Sequence, residues 1–182
     1  EPRNHYLARM EWAKSSKELH LQQLNRLQNT NRVMLANARD GEVKTVYTDR
    51  DDAWIEVRFG FTKWIDKGNQ FTYVSEREGW RQVYLVSREG EAVQKVTGGN
   101  YDVIRALKID EANQWLYFIA SPHNATQRYL YRVGLDGKNL IRLSPAEQIG
   151  SHSYNISPDA KWAVHTFSSF SFPPISSLIK LP

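Results

Sequence analysis

The chain has 182 residues, which is enough for one domain with a hydrophobic core of its own. Hydrophobic residues make up 41% of the sequence and include 6 Trp, 9 Tyr and 7 Phe, a composition that excludes a disordered chain and favours packed β-sheets. The formal net charge is +4, but basic and acidic residues alternate along the chain, so no nucleic-acid-binding surface is predicted.

The sequence has no cysteine, which excludes a disulfide framework and a cysteine metal site. It contains no apolar run of membrane-spanning length and no signal peptide. The chain opens on Glu1-Pro2 rather than on methionine, so we expect that its natural beginning is missing.

Residues 7–50 are predicted to form a first sheet of antiparallel strands. Its second strand, Glu18–Arg26, is rich in Leu and Gln and could be misread as a helix, but the repeat described below favours a strand. The connector Asp49–Asp52 lacks the Gly and the distant Glu of a calcium-binding loop, and is predicted to be a solvated link. The predicted strands are Arg9–Ala13, Glu18–Arg26, Arg32–Ala38 and Val43–Thr48.

Residues 54–100 are predicted to form a second sheet. Its centre, Trp64–Val86, alternates aromatic and β-branched runs with polar turns at Asp66–Asn69 and Glu76–Gly79, which is the pattern of a β-meander. The predicted strands are Phe61–Ile65, Gln70–Ser75, Trp80–Val86 and Ala92–Thr97.

Two further sheets are predicted over residues 103–145 and 151–182. Seven strands are expected, and the last sheet lacks a fourth one, so we expect the chain to be a piece of a longer protein. The predicted strands are Val103–Ile109, Trp115–Ala120, Tyr129–Gly134, Asn139–Leu143, Tyr154–Ile156, Trp162–Phe167 and Ser176–Leu181.

The turn that precedes an aromatic strand recurs along the chain. It begins at Asp66, Asp110 and Asp159, at intervals of roughly 44 and 49 residues, close to the ~40–50 residue period of β-propeller blades. Because an isolated hairpin cannot bury both of its faces, the repeat predicts an all-β fold, a partial β-propeller of about four blades with the last one incomplete. Four tryptophans fall at comparable positions and are predicted to lie in the core: Trp64, Trp80, Trp115 and Trp162.

No catalytic motif is visible in the sequence. It has no G-x-S-x-G elbow, no P-loop and no G-x-G-x-x-G, so no catalytic residue and no cofactor are predicted. The triplet at Asn124–Thr126 fits a glycosylation acceptor, and its expected meaning is only an exposed loop. The histidines show no metal-ligand spacing, so no metal site is expected, and each is predicted to be a surface or packing residue: His5, His20, His123, His152 and His165.

Several segments share the pattern of one family. They are His5-Tyr6-Leu7 with Trp12 and Ala13, the turn Ser75–Arg81 (SEREGWR), the link Gly98–Val103 (GGNYDV), the strand Gln127–Tyr131 (QRYLY), and His165–Ser168 with Phe172–Pro174. Together they resemble the N-terminal β-propeller of dipeptidyl peptidase IV and its bacterial relatives, and the likeness spans essentially the whole chain.

The resemblance implies a role in proteolysis. Members of this family are serine exopeptidases that release dipeptides from peptides with proline or alanine second. Their catalytic serine, aspartate and histidine lie in an α/β-hydrolase domain that is absent from this chain. The glutamate pair that binds the substrate amino terminus lies earlier in the propeller than this chain begins. The chain is therefore expected to be the substrate-gating, non-catalytic part of a bacterial periplasmic or cell-surface peptidase, with a peptide substrate and the hydrolase domain as its partners.

One pair of residues is a candidate for substrate binding. Arg58-Phe59 resembles an R-F-R stretch on a loop that faces the substrate cavity in the family, so Phe59 would line the outer part of the pocket. The second arginine of that stretch is replaced by Gly60. The alternative is that Phe59 is a core aromatic of the Phe59–Phe61 run.

Two other functions remain open at this point. The chain could belong to a non-enzymatic periplasmic propeller that binds protein, or to a propeller that binds carbohydrate through exposed aromatic clusters. A hydrolase domain with a G-x-S-x-G motif encoded downstream would favour the peptidase. In each case half of a propeller leaves open sheet faces, which predict that the chain self-associates.

Overall fold

The computed structural model describes residues 4–57 and 61–182. Within these residues, fifteen strands form four antiparallel sheets. The chain divides into two compact units. The first comprises residues up to Gly79 with Val83–Gln94, and the second comprises Trp80–Gln82 with Lys95–Pro182.

The first sheet belongs to the first unit and has the simple order β1-β2-β3-β4. The strand predicted over the Leu- and Gln-rich segment is confirmed as β2, in which His20, Gln22 and Leu24 are buried at every second position. This period of two is that of a strand. Because two of the three inward positions are polar, the spacing of the leucines alone does not show the period. The strands are β1 His5–Trp12, β2 Glu18–Asn25, β3 Thr30–Asn37 and β4 Val43–Arg50.

The second sheet has the order β5-β6-β7-β8, and its first strand is shorter than predicted. Residues Phe61–Lys63 do not join the ladder as regular strand, because the Thr72 hydroxyl donates to the Phe61 carbonyl and accepts from the Lys63 amide. The Thr72 side chain thus bonds this edge in addition to the backbone hydrogen bond from the Thr72 amide to the Lys63 carbonyl. The strands are β5 Trp64–Ile65, β6 Gln70–Ser75, β7 Gln82–Ser87 and β8 Val93–Lys95.

An apolar cluster joins the two sheets of the first unit. Phe71 and Val33, from β6 and β3, are fully buried within it, and Trp64 packs against it from the side. Burial of each such side chain contributes about 1.5–3 kcal/mol, so this contact holds the two sheets together. The cluster consists of Ala13, Val33, Leu35, Val46, Tyr47, Phe71, Tyr73 and Val86.

The second unit contains the other two sheets, in the orders β12-β11-β10-β9 and β13-β14-β15. Strand β13 begins three residues earlier than predicted, because its antiparallel pairing with β14 extends to Ser151, which lies opposite Ser168. Ser151 also forms an isolated parallel bridge with Arg128. The His152 amide donates to the Arg128 carbonyl over 2.9 Å. The strands are β9 Val103–Asp110, β10 Trp115–Ala120, β11 Tyr129–Gly134, β12 Ile141–Arg142, β13 Ser151–Ile156, β14 Trp162–Ser168 and β15 Ile175–Lys180.

A second apolar cluster covers the facing sides of these two sheets. Leu130 of β11 is fully buried in it, beside Tyr154 of β13 and Ala163 of β14. The cluster consists of Tyr117, Ile119, Leu130, Tyr154, Ala160, Ala163 and Leu181. Each unit therefore pairs two neighbouring sheets, as adjacent blades do.

The prediction that four equivalent tryptophans lie in the core is wrong for two of them. Trp64 and Trp115 are partly buried against the two clusters. Trp80 is 42% exposed, because it lies in the turn before β7 rather than in the strand. Trp162 is 45% exposed because alternation along β14 directs Ala163 and His165 inward and Trp162 outward.

Two glycines with similar backbones test how tightly the first unit is packed. Gly41 and Gly90 have φ angles of +77° and +79°, but a Cβ at Gly90 would lie 1.9 Å from the Val46 carbonyl oxygen, whereas Gly41 faces open space. Alanine at either position should cost about 1 kcal/mol for the positive φ. Gly90→Ala should cost about 1–3 kcal/mol more, because backbone must move. Urea denaturation followed by tryptophan fluorescence measures both losses, and equal losses would contradict this packing.

Candidate functional site

The segment that carries the predicted site lies between β4 and β5. Arg58 and Phe59 themselves fall outside the described residues, so their predicted role is not tested, and the site is built from the residues on either side. The Val57 carbonyl accepts a hydrogen bond of 2.6 Å from the Arg9 guanidinium. The Phe61 carbonyl accepts one of 2.6 Å from Thr72. Side chains of β1 and β6 thus hold the backbone on both sides of residues 58–60.

The earlier half of the same segment is also fixed to the first sheet. The Asp51 carboxylate accepts from the amides of Ala53 and Trp54 at 2.7 and 3.1 Å, which forms a tight turn. The Ile55 amide donates to the Gln28 carbonyl, and the Ile55 side chain is buried. The route from β4 to Val57 is therefore set by hydrogen bonds and by one apolar anchor.

A small pocket lies beneath this segment. Its volume of about 10 Å³ leaves room for about one water molecule and is far below that of a typical ligand site. This pocket by itself is therefore too small to hold a peptide substrate. The pocket is lined by Gln22, Glu56, Val57, Phe61, Thr62, Tyr73 and Val74.

A buried polar network stiffens the floor of this pocket. The Asn31 amide donates to the Gln22 side-chain oxygen and to the Tyr73 hydroxyl, both over 2.9 Å. Burial raises the pKa of the Tyr73 hydroxyl well above its usual value, so it stays protonated. Buried networks of this kind hold their members in one arrangement, because each partner would be costly to leave unpaired.

Asp49 extends the network and corrects a prediction. The residue was expected in a solvated link, but it is 4% exposed and belongs to β4. The Ser75 hydroxyl donates to its carboxylate over 2.9 Å. Burial raises the pKa of the Asp49 carboxyl, against hydrogen bonds from Ser75 and Tyr73 that lower it. Sequence reasoning missed it because the charge run Asp49–Asp52 resembles a surface link.

The second unit holds a pair of histidines that sequence reasoning did not bring together. His152 of β13 and His165 of β14 are both buried, and their ring nitrogens are 2.8 Å apart. The expectation that they are packing residues agrees with this burial, but their direct contact depends on strand register. Among residues 4–57 and 61–182, no group of three or more His, Cys, Asp or Glu side chains could hold a metal ion.

An open groove lies close to this pair on the second unit. Its volume is about 480 Å³, and it is lined mainly by hydroxyl side chains and by Phe170, which is fully exposed. The groove is lined by Thr126, Gln127, Ile149, Gly150, Ser151, Ser168, Ser169, Phe170 and Ser171.

Two other expectations concern the surface of the protein. The loop at Asn124–Thr126, predicted to be exposed, is exposed. In the described part of the chain, no helix is long and apolar enough to cross a membrane.

Comparison with known proteins gives the family. The model of the dipeptidyl peptidase IV (DPP IV) N-terminal region matches residues 1–174, nearly the whole chain. The chain belongs to this family. Its resemblance to dipeptidyl peptidase IV, inferred from motifs such as the SEREGWR turn, is thereby confirmed.

Similarity to individual relatives agrees with the assignment of the chain to the DPP IV N-terminal family. The chain is 30% identical over 116 residues to the probable dipeptidyl peptidase 4 of Aspergillus flavus, a match covering 60% of this chain and 15% of the relative. It is 25% identical over 153 residues to the dipeptidyl peptidase 4 of Arthroderma otae, covering 82% of this chain and 20% of the relative. The chain thus spans about a fifth of the length of these curated relatives.

A solved structure confirms the fold. The crystal structure of Porphyromonas gingivalis dipeptidyl peptidase 4 superposes with a TM-score of 0.85 at 24% identity, covering 97% of this chain and 24% of that one. The all-β partial propeller of about four blades, with a three-stranded last sheet, is therefore established for this DPP IV region.

The buried Asp49 predicts an unusual pH dependence. Because its pKa in the folded state is raised above the ordinary 3.8, the folded state binds more protons than the unfolded state between these two values. Its contribution to stability is therefore present below pH 3.8 and is lost as the pH rises through the folded-state pKa. Wild type should gain stability relative to Asp49→Asn as the pH falls.

Urea denaturation of both proteins between pH 3 and pH 8 measures this difference. Asp52→Asn, an exposed neighbour, is the matched control for loss of one carboxylate. If the variant instead became more stable than wild type as the pH falls, the pKa of the Asp49 carboxyl would not be raised in the folded state.

Proposed function

We propose that this chain is the substrate-gating, non-catalytic propeller part of a longer serine exopeptidase that releases N-terminal X-Pro and X-Ala dipeptides. The match of the DPP IV N-terminal region to residues 1–174 carries the proposal. The propeller would act as a wall that admits peptide ends to a hydrolase domain, which would contribute the catalytic serine, aspartate and histidine. Its partners would be that domain and the peptide substrate.

Within this function, Phe59 and Arg58 are proposed to contact the peptide at the outer part of the substrate pocket. Phe59 would offer apolar contact area, and Arg58 would offer hydrogen-bond donors for peptide carbonyl groups. The hydrogen bonds of Arg9 to Val57 and of Thr72 to Phe61 support this role. They fix the backbone on both sides, and a binding residue is most effective when its support is rigid.

The cell location that fits this function is the periplasm or the surface of a bacterium. The resemblance of the sequence motifs to bacterial members of the family supports this location.

A carbohydrate-binding propeller is the second candidate, and the groove of the second unit favours it. Hydroxyl groups of Thr126, Ser151 and Ser169 lie there beside the exposed ring of Phe170. Sugar sites combine such hydrogen-bonding groups with an aromatic face. A protein-binding propeller without enzymatic activity would use the same exposed surface.

The deciding experiment is a peptidase assay of the full-length protein beside the 182-residue chain. Each is offered Gly-Pro-p-nitroanilide and its N-blocked form. Release only by the full-length protein, and only from the unblocked substrate, is expected. Absence of release by the full-length protein would overturn the peptidase function and leave the binding propellers.

The same assay tests the proposed site. Phe59→Ala in the full-length protein should lower kcat/KM by about 5- to 30-fold, because one apolar side-chain contact contributes about 1–2 kcal/mol. Phe172→Ala removes an exposed aromatic of the second unit and is the matched control. An active enzyme in which both variants retain full kcat/KM would place Phe59 outside the substrate pocket.

The isolated chain is also proposed to self-associate. Apolar side chains of β14 and β15 are exposed, among them Val164 (46%) and Leu178 (69%). Such a face is covered in stable proteins by another sheet. Multi-angle light scattering should show dimers or larger species, which Leu178→Glu should weaken more than Leu27→Glu, a change in an exposed turn. A monomer at all concentrations would contradict this.

A further inference from the structure

The histidine pair of the second unit has the geometry of a strong, in-plane hydrogen bond. His152 Nδ1 and His165 Nε2 are 2.8 Å apart, and the two rings are nearly parallel, with an interplanar angle of 4° and centroids 5.1 Å apart. His152 is 1% exposed and His165 is 6% exposed. Solvent therefore cannot readily replace either partner.

The position of each proton follows from the acceptors. His152 Nε2 is 2.9 Å from the Gln148 carbonyl oxygen, which can only accept, so Nε2 carries a hydrogen. In the neutral ring His152 Nδ1 is then the acceptor, and His165 Nε2 must donate to it. A proton added to His152 Nδ1 removes the acceptor for a His165 that carries its hydrogen on Nε2, and with both rings charged two N–H groups would point at each other.

Apart from the Gln148 carbonyl, which favours the charged form of His152, the groups packed around the pair are aromatic rings or carry positive charge. The rings of Tyr129, Tyr154 and Phe167 pack against the pair, with centroid distances of 4.5–5.3 Å to the nearer histidine. The Tyr154 hydroxyl is engaged with Ser144 over 2.9 Å. The charged group that acts on His152 is Arg142, which lies 3.8 Å above the Tyr129 ring and disfavours a second cation. Glu147, on the β12–β13 connection, is exposed.

The histidine pair lies where the β12–β13 connection, β13 and β14 meet. Through Gln148 it ties the connection between β12 and β13 to β14, and the next three residues, Ile149–Ser151, line the groove. The backbone of Arg128 is bonded on both sides of Ser151, to the Gly150 carbonyl and the His152 amide. Release of His152 would therefore loosen the first strand of the fourth blade and the wall of the groove together.

We propose that the His152–His165 pair is an acid-sensitive latch, which holds β13 against β14 and the β12–β13 connection while both rings are neutral and releases it in mild acid. The latch would make the groove more open in an acidic compartment. This role does not depend on the proposed peptidase function.

The direction of the effect follows from burial. Desolvation lowers the pKa of both His152 and His165 below the ordinary 6.5. The open or unfolded state therefore binds protons that the closed state does not, as the pH falls below 6.5. The stabilising contribution is complete above this value and decreases below it, by up to about 10-fold in the closing equilibrium per histidine and per pH unit.

Amide hydrogen exchange of the full-length protein, read by mass spectrometry at pH 7.5 and 5.5 and corrected for intrinsic exchange rates, tests the latch. Protection of peptides covering Ser151–Ile156 should fall by up to about 100-fold between the two pH values. Protection of Thr30–Asn37 in the first unit is the internal reference and should change far less.

Two variants give the matched comparison. His165→Gln keeps an amide donor for His152 Nδ1 but cannot be protonated, so the loss of protection should shrink to about 10-fold. His123→Gln removes an exposed histidine of the same unit and should retain the full loss. Unchanged protection of Ser151–Ile156 in wild type at pH 5.5, or an equal loss in Thr30–Asn37, overturns the latch. This wild-type comparison decides the matter even if His165→Gln fails to fold.

Discussion

The constraint on which the structure depends is that a β-sheet has two faces and that each apolar face needs a cover. In each unit two neighbouring sheets satisfy this by burying one shared cluster, centred on Phe71 and Val33 in the first and on Leu130 in the second. The contact area, and not the length of the ladder, stabilises the pairs of sheets. Strands as short as Trp64–Ile65 and Ile141–Arg142 therefore suffice at the sheet edges.

The same alternation that buries apolar residues also buries polar ones, and each of these needs a partner. Asn31 and Asp49 occupy inward positions and are hydrogen-bonded to Tyr73 and Ser75 of the next sheet. His152 is satisfied by His165. Because such groups are costly to leave unpaired, they define one arrangement of the sheets more strictly than apolar contacts do. Of these groups, Asp49 and the proposed latch of His152 and His165 would make that arrangement respond to pH.

The segment between β4 and β5 shows how this scaffold would serve a peptidase. Its described residues are anchored by Arg9, Gln28 and Thr72. A rigid platform of this kind suits residues that bind a substrate processed by another domain. The chain belongs to the DPP IV N-terminal family, and the division of roles between binding and catalysis is part of the proposed function.

Local sequence was sufficient to predict the strands that have turn-forming residues at both ends. Gln70–Ser75, Trp115–Ala120 and Tyr129–Gly134 were predicted at the residues where they occur, because polar turns bound each aromatic or β-branched run. The recurring turn at Asp66, Asp110 and Asp159 was sufficient for the blade architecture. The family motifs, above all the SEREGWR turn, were sufficient for the family.

Tertiary structure decided which face each residue uses and which residues meet. Trp162 and Trp64 look equivalent in sequence, but the inward positions of β14 belong to Ala163 and His165. The contact of His152 with His165 depends on the β13–β14 register, and the burial of Asp49 depends on Ser75 of another sheet. A local pattern specifies strands and turns because their hydrogen bonds and φ angles are local. It does not specify partners that are distant in sequence, since these are selected only when whole sheets pack.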